Sequence, residues 1–499
     1  MHASPVCLWP ESAIDAIEKT TRDLLRGVGI EVRSRAVRDL MIGYGCVALD
    51  GERIAIPWEV VAKASAAAPR SFTLVARNDS RSLIVGDGGT APQTHPLGGA
   101  PYVADPVTGE QRRAQLSDVA AAVRVQHHCE YPELACPLFM PGGLPDDLEP
   151  LITYLVCLEQ TDKCVSGPGL WTVEQVRGIC RLAEAAVGCD ATRDRYAINL
   201  SFSPLSPLTF GAGPAESLTE AARLGAACTI LPCPIAGTTA PAPLAAAVAQ
   251  QTAEAFSGLV IAQAARPGTP VTYGSRLMPC NSRTGDAVMG GPELGYTAQA
   301  VAAISRRHGI PCDVYGLSTD SKVIDAQCGF ERAIGALLAS IARPAFVSGM
   351  GYMQTGVGGS LEMLVIDDEI SRWIRWSLEE RPADEQALDV AEIERGAVSS
   401  AGFLGLRQTR KYLRSEKVQS RLAFRGTQEG WREGESMLER AGAKVAQALA
   451  QEPIGLEGDL LRSACEIFAG TARDMGFGEI PDVRALLATS RALDGNAAG

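Results

Sequence analysis

From about residue 163 onward, a short apolar run ending in Gly, Pro or Ser alternates six times with an alanine-rich stretch of helical spacing, and few folds accommodate that alternation. Lys163–Gly169 precedes Thr172–Val187, Tyr196–Phe202 precedes Ser217–Leu224, and Cys228–Ala236 precedes Pro243–Ala264. Pro270–Gly274 then precedes Gly291–His308, Pro311–Gly316 precedes Asp325–Ala342, and Ala345–Gly349 precedes Leu361–Trp376. Repeated strand–helix units demand a parallel sheet covered by helices. The sheet is either closed as a (βα)8 barrel or open and doubly wound. An open dinucleotide-binding sheet carries Gly-x-Gly-x-x-Gly after its first strand, with an acidic residue about 20 positions on. No such match opens this series; Gly349, Gly351, Gly356, Gly358 and Gly359 come at its end. Most strands instead finish in polar or small residues: Ser166, Ser201, Thr238 and Thr239, Tyr273 to Ser275, Thr319 to Lys322, and Ser348. Polar carboxyl ends are what a barrel mouth requires. The expected architecture is α/β, a (βα)8 TIM-type barrel over residues 96–376.

Two additions flank it. Residues 1–95 read as a small α+β segment: a helix over Glu11–Gly29, a hairpin Cys46–Ile56 turning at Asp50-Gly51, a helix between Pro57 and Pro69, and strands Ser71–Ala76 and Ser82–Val85. Residues 377–499 lose the alternation and read as a helical extension, with segments Pro382–Arg395, Thr409–Arg414, Glu429–Ala450 and Gly458–Met475. It is expected to cover the mouth or to form a subunit contact.

Composition excludes several classes. With 46 Lys+Arg against 58 Asp+Glu the net charge is −12, and no basic run is present, so nucleic acid and anionic membranes are not expected partners. The most apolar helical stretch, Ala245–Ala265, contains Gln250, Gln251, Glu254 and Gln263, which favours a packed helix over a membrane span. The start, Met1–Trp9, has neither the basic nor the apolar region of a secretory signal. The 14 cysteines include no Cys-x-x-Cys and read as reduced, buried thiols of a cytoplasmic protein. Histidines lack metal-ligand spacing, so no metal site is expected.

Several motifs, in order, resemble the trimethylamine/glycine-betaine methyltransferase superfamily. They are Pro96-Leu-Gly-Gly-Ala-Pro-Tyr-Val-Ala-Asp105 with Leu116–Val125; Gln160-Thr-Asp162-Lys163; Ser206-Pro-Leu208 with Pro234-Ile-Ala-Gly237-Thr-Thr-Ala-Pro241; Pro270-Val-Thr-Tyr273-Gly-Ser275; Thr319-Asp320-Ser-Lys322-Val-Ile-Asp325-Ala-Gln327-Cys-Gly329-Phe-Glu331; and Glu362-Met-Leu-Val-Ile-Asp367-Asp368-Glu-Ile370. The resemblance implies a (βα)8 barrel and methyl transfer from an amine to the cobalt of a separate corrinoid protein. The absence of pyrrolysine implies the non-pyrrolysine branch, whose implied substrates are quaternary amines such as glycine betaine. No cofactor is then expected to be tightly bound, because cobalamin arrives on the partner. The chain departs from the family pattern at Ala401-Gly402-Phe403-Leu404-Gly405-Leu406-Arg407-Gln408-Thr409, where Gly402, Leu406 and Gln408 stand at positions usually held by histidine.

A quaternary ammonium donates no hydrogen bond and is best held over aromatic faces beside a carboxylate. Strand ends and the loops after them offer Phe202, Tyr273, Tyr315, Phe330 and Tyr352 as rings, and Arg276 for a substrate carboxylate. Each ring reads equally as barrel packing, and Arg276 as an ion-pair residue. Asp320 is the carboxylate expected to face the cation, with Gln327 and Glu331 on the same wall; its alternative is an ion pair with Lys322. Two other functions fit the same barrel: a lyase or aldolase using Lys322 as a Schiff-base amine, and a betaine-binding homologue that has lost methyl transfer. The alanine-rich outer helices favour a homo-oligomer.

Overall fold

The computed structural model describes residues 4–86, 91–188, 195–381, 383–414, 416–428 and 436–491. Eight parallel strands run through the chain: β1 (Gln93–Pro96), β2 (Leu134–Ala135), β3 (Cys164–Val165), β4 (Asn199–Phe202), β5 (Ala227–Ile230), β6 (Val271–Ser275), β7 (Cys312–Tyr315) and β8 (Phe346–Met350). Each is followed by a helix: α1 (Leu116–His128), α2 (Glu149–Gln160), α3 (Val173–Val187), α4 (Ala212–Leu224), α5 (Leu244–Ala265), α6 (Pro292–His308), α7 (Ala326–Ile341) and α8 (Leu361–Leu378). Thr172, Asp325 and Ser360 cap α3, α7 and α8 through their side-chain oxygens.

Six strands form one curled parallel half-barrel in the order β4-β5-β6-β7-β8-β1, so the first strand of the series lies beside the last. β2 and β3 form a separate parallel pair. At its two seams the pair meets the larger sheet through Glu133 N to Thr94 O (3.1 Å) and Gly167 N to Asn199 O (3.2 Å). With only two residues in each of β2 and β3, there is little length for a longer ladder.

The N-terminal residues build onto this body. Helices Glu11–Asp23, Arg35–Tyr44 and Trp58–Ala67 pack on α5, and Ile30–Val32 pairs with Thr209–Phe210. This explains the composition of α5. It is the one helix among the described residues long and apolar enough by composition to cross a membrane, yet it is mostly buried between the sheet and these helices. The hairpin Ser71–Leu74/Leu83–Gly86 packs Phe72, Leu74 and Val85 against Leu134, Cys164, Ala227 and Phe346, closing the amino-terminal end of the strands with an apolar plug.

The C-terminal helices are α9 (Val390–Val398), α10 (Arg407–Tyr412), α11 (Met437–Leu449), α12 (Gly458–Asp474) and α13 (Val483–Arg491). α11 packs on α1 and α8, α12 on α3, and α13 on α1 and α2. This part of the extension therefore lies against the outer helix layer and does not cover the strand ends. α9 and α10 make only marginal contact with other elements. Residues 382 and 429–435 of the expected helical segments lie outside the described residues.

Close helix approach is set by glycine. A methyl group on Gly335 of α7 would lie 2.7 Å from the carbonyl oxygen of Gly316, the residue after β7. Beside it, Arg332 forms a fully buried ion pair with Asp367 of α8 (2.7 Å) and donates to Leu317 O, fixing α7 and α8 to the ends of β7 and β8. Gly335→Ala is expected to destabilise the protein by about 1–3 kcal/mol, the usual cost of overpacking. Urea unfolding would measure it, and an unchanged midpoint would contradict this packing.

Candidate functional site

Side chains alternate along a strand, and parallel neighbours keep that alternation in register. Two faces result. Ile230 lies beside Tyr273, Tyr273 beside Cys312, and Val314 beside Val347 on the outer face. Gly274 lies beside Asp313, Tyr315 beside Ser348, and Ser348 beside His95 on the inner face. The outer face meets helices and is apolar. Above the plug, the inner face is polar: Asn199, Thr229, Thr272, Asp313, Ser348 and His95 are all buried there.

The centre of this face is a charged network joining β1, β6 and β7. Asp313 Oδ2 accepts from Arg276 Nη2 at 2.6 Å and from His95 Nε2 at 3.2 Å. Arg276 Nη1 also donates to the carbonyls of Ser275 (2.9 Å) and Asp313 (3.2 Å). His95 Nδ1 donates to Pro96 O at 2.5 Å. Nδ1 also lies 3.6 Å from the Cys136 thiol, and an acceptor at each ring nitrogen favours the imidazolium form. Burial opposes this charge, but Asp313 and Cys136 together outweigh it and raise the His95 pKa to about 10. Asp313 is also buried, yet Arg276 and His95 hold its carboxyl well below the ordinary range. One carboxylate between two cations leaves a formal excess of one positive charge. Asp313 Oδ1 and Arg276 Nε are buried without a partner among the described residues.

Two tyrosines adjoin the network. The Tyr315 ring lies over the Arg276 guanidinium at 4.5 Å. Tyr352 donates from its hydroxyl to Gly98 O at 2.6 Å and lies within electrostatic reach of Tyr315, Arg276, Cys136 and Cys233. Cys233, in the loop after β5, is exposed and lies within electrostatic reach of Arg276.

The structure brings together three of the expected site residues, Arg276, Tyr315 and Tyr352, and places the others elsewhere. Tyr273 is on the outer face, its hydroxyl bonded to Gln251 (3.1 Å) and Thr252 (3.0 Å) of α5. Phe202 lies on the same outer face, beside Ile230. Phe330 is exposed on α7, as is Gln327. Asp320 spends both carboxylate oxygens on loop amides: Oδ1 accepts from Met289 N (2.9 Å) and Thr355 Oγ1 (2.9 Å), Oδ2 from Gly290 N (3.0 Å). It therefore ties rim loops together and forms no ion pair with Lys322. Glu331 accepts from Thr319 Oγ1, Asp320 N and Gln327 Nε2, so it holds the same loop from beneath. Lys322 is exposed. Gly349, at φ +115°, permits β8 to pass close to Leu317 O and has a packing role. His95 and Asp313 were absent from the sequence-derived site. The available signal was Asp313 within the apolar strand Cys312–Tyr315, two positions from Tyr315 and hence on its face.

Among the described residues no cluster of three or more His, Cys, Asp and Glu side chains is arranged to hold a metal ion. Every described cysteine is a free thiol. The family profile described as trimethylamine methyltransferase (MTTB) matches residues 2–459. The trimethylamine methyltransferase of Methanosarcina thermophila is 28% identical over 414 residues, covering 81% of this chain and 85% of its own length. The glycine betaine methyltransferase of Desulfitobacterium hafniense is 28% identical over 444 residues, covering 88% and 91%. The solved monomethylamine methyltransferase of Methanosarcina barkeri aligns over 89% of this chain and 96% of that chain, at 12% identity and a TM-score of 0.47.

The network has a pH signature. The folded His95 pKa lies above the ordinary value of 6.5, so the folded state binds more protons between that value and about 10. Its stabilisation is complete below the ordinary value and is lost as pH rises toward about 10. In urea unfolding, the wild type should lose more stability than His95→Gln between about pH 7 and about pH 9.5. Equal losses would show that His95 is not held as a cation.

Proposed function

The chain belongs to the trimethylamine methyltransferase family, and we propose that it moves a methyl group from a quaternary, betaine-like amine to the cobalt of a corrinoid carried by a separate protein. The observation that carries this reading is the polar inner face at the carboxyl ends of the strands, where Arg276, Tyr315 and Tyr352 converge. We read the eight strands as one closed (βα)8 barrel, which the single bonds at the two seams support. The domain limits then follow the expected pattern, although β1 begins at Gln93, just before the boundary at residue 96. A reducing cytoplasm suits the free thiols.

The corrinoid supplies the strong nucleophile and acts as the methyl acceptor. This chain's residues need only hold the amine, exclude bulk water and aim one N–CH3 group outward. Tyr315 and Tyr352 offer ring faces to the methylated nitrogen. Arg276 underlies one ring and carries a spare N–H for an anionic group. Asp320, Thr355, Met289 and Gly290 lock the rim around the opening. Gly402, Leu406 and Gln408, which stand where relatives are expected to have histidines, lie in the α9–α10 arm. There Gln408 bonds to the carbonyls of Gln386 and Ala387. Phe330, Ile334 and Leu337 form an exposed apolar stripe on α7 that supports a homo-oligomer.

Glycine betaine mixed with free cob(I)alamin should give a cobalt absorbance change in the presence of this protein. No change with any of a panel of quaternary amines would overturn the reading. Tyr315→Ala should lower the rate about tenfold while Tyr315→Phe stays near wild type, because the ring face carries the contact. Tyr273→Phe should leave the rate unchanged and cost about 1 kcal/mol of stability, the usual worth of a buried hydrogen bond. An unchanged rate in both Tyr315→Ala and Tyr352→Ala would place the site elsewhere.

A further inference from the structure

We infer that Arg70, Arg306 and Arg343 form a binding site for a phosphate group at the amino-terminal end of the strands, opposite the end that carries the Arg276 network. The inference is independent of the substrate reading above and gives the molecule a second ligand. The site is a cavity of about 330 Å3, within the size range of small-molecule sites. Its walls are the start of β1 at Gln93, the start of β7 at Cys312, the turn after α7 at Arg343, the end of α6 at Arg306, and Arg70 at the entry to the strand Ser71–Leu74.

Three observations carry it. First, three arginines line the cavity and, among the described residues, no Asp or Glu does, in a chain of net charge −12. Arg307, next to Arg306 on α6, reaches Glu11, Asp15 and Glu18. Arg306 instead donates to the carbonyl of Ala342, directly before Arg343, and Arg70 lies against Gly309, where a Cβ would stand 3.2 Å from its Nε. Second, Arg343 Nη2 donates to Leu378 O at 2.7 Å, but Nη1 is buried without a partner among the described residues. Burial lowers the Arg343 pKa, and no carboxylate offsets it. A buried guanidinium N–H left open is costly, and an anionic acceptor removes that cost. Third, Arg343 stands at φ +55° just past α7, in the conformation with which Gly309 (φ +66°) ends α6. Glycine is the favoured residue there, so the arginine holds its place at the cavity against a backbone preference.

Capping of helix ends does not account for this much charge. The carboxyl ends of α6, α7 and α8 each contribute about half a negative charge, which offsets about half of three guanidinium charges. The remainder calls for an anion. A phosphate monoester carries about −1.5 to −2 at neutral pH and presents three strong acceptor oxygens, one for each guanidinium fork. A carboxylate has one charge and two oxygens, and would leave a fork unused. The volume leaves room for the organic body of a phosphate ester as well.

The test is calorimetric binding of inorganic phosphate, glycerol 3-phosphate and acetate to the intact protein at constant ionic strength. Both phosphates should bind at least about tenfold more tightly than acetate. Tighter binding of glycerol 3-phosphate than of inorganic phosphate would assign an organic phosphate to the site, and equal or weaker binding would assign the free ion; either result supports it. No phosphate binding at millimolar concentration, or acetate binding as tightly as phosphate, would overturn it. Arg70 is exposed, so Arg70→Gln should fold normally, and Arg343→Gly places at φ +55° a residue suited to that backbone. Each should weaken phosphate binding about tenfold, with the circular dichroism spectrum unchanged. Unaltered phosphate binding in either folded variant would overturn the three-arginine site. The comparison of probes on the wild type decides the matter even where a variant fails to fold.

Discussion

The two-residue period of the strands is the constraint on which the rest of this molecule depends. Because helices cover only one side of the sheet, every residue facing outward must be apolar or satisfied by a helix side chain. Tyr273, with its hydroxyl between Gln251 and Thr252, is such a case. The other face is free of that demand above the apolar plug, so polar groups collect there. The Arg276–Asp313–His95 network spans three strands and ties β1, the first of the series, to β6 and β7 near its end. Truncating one member would leave the others charged and buried, which is costly.

A second set of buried polar contacts fixes the rim. Arg332 and Asp367, both fully buried, clamp α7 to α8 beneath the strand ends. Burial raises Asp367 to about pKa 6 even beside the Arg332 guanidinium. Above them Asp320 gathers three loops, and Gln354 donates to Gly109 O and Lys322 O. Gln354 and Thr355 adopt positive φ to make that turn (58° and 62°). Non-glycine residues in this conformation carry strain that surrounding contacts must hold, and here those contacts are the Asp320 and Lys322 loops. The contacts of Asp320 and Glu331 within this motif hold the loops beyond the strand ends together.

The extension divides the same way. α11, α12 and α13 bury Ala441, Val445, Phe468 and Leu487 and belong to the outer helix layer. The α9–α10 arm leaves Leu388, Val390, Val398 and Leu404 exposed.

The sequence by itself determined the series of strands and helices, because apolar periodicity, glycine stops and caps such as Thr172 and Asp325 are local properties. It also carried the family, through motifs spread along the chain. It marked strand ends as the place to look, and Arg276, Tyr315 and Tyr352 were legible there. Which side of the sheet a strand-end residue faces was the step that needed register. Tyr273 and Arg276 are three positions apart and so project to opposite faces, and only the packed helices decide which face is inner. Gln327, Glu331 and Phe330 follow the strand end on a helix, whose rotation about its own axis is set by Gly335 and Arg332 and not by local spacing. Pairing of His95 with Asp313, some two hundred residues apart in sequence, exists only because the curled sheet brings its first and last strands together.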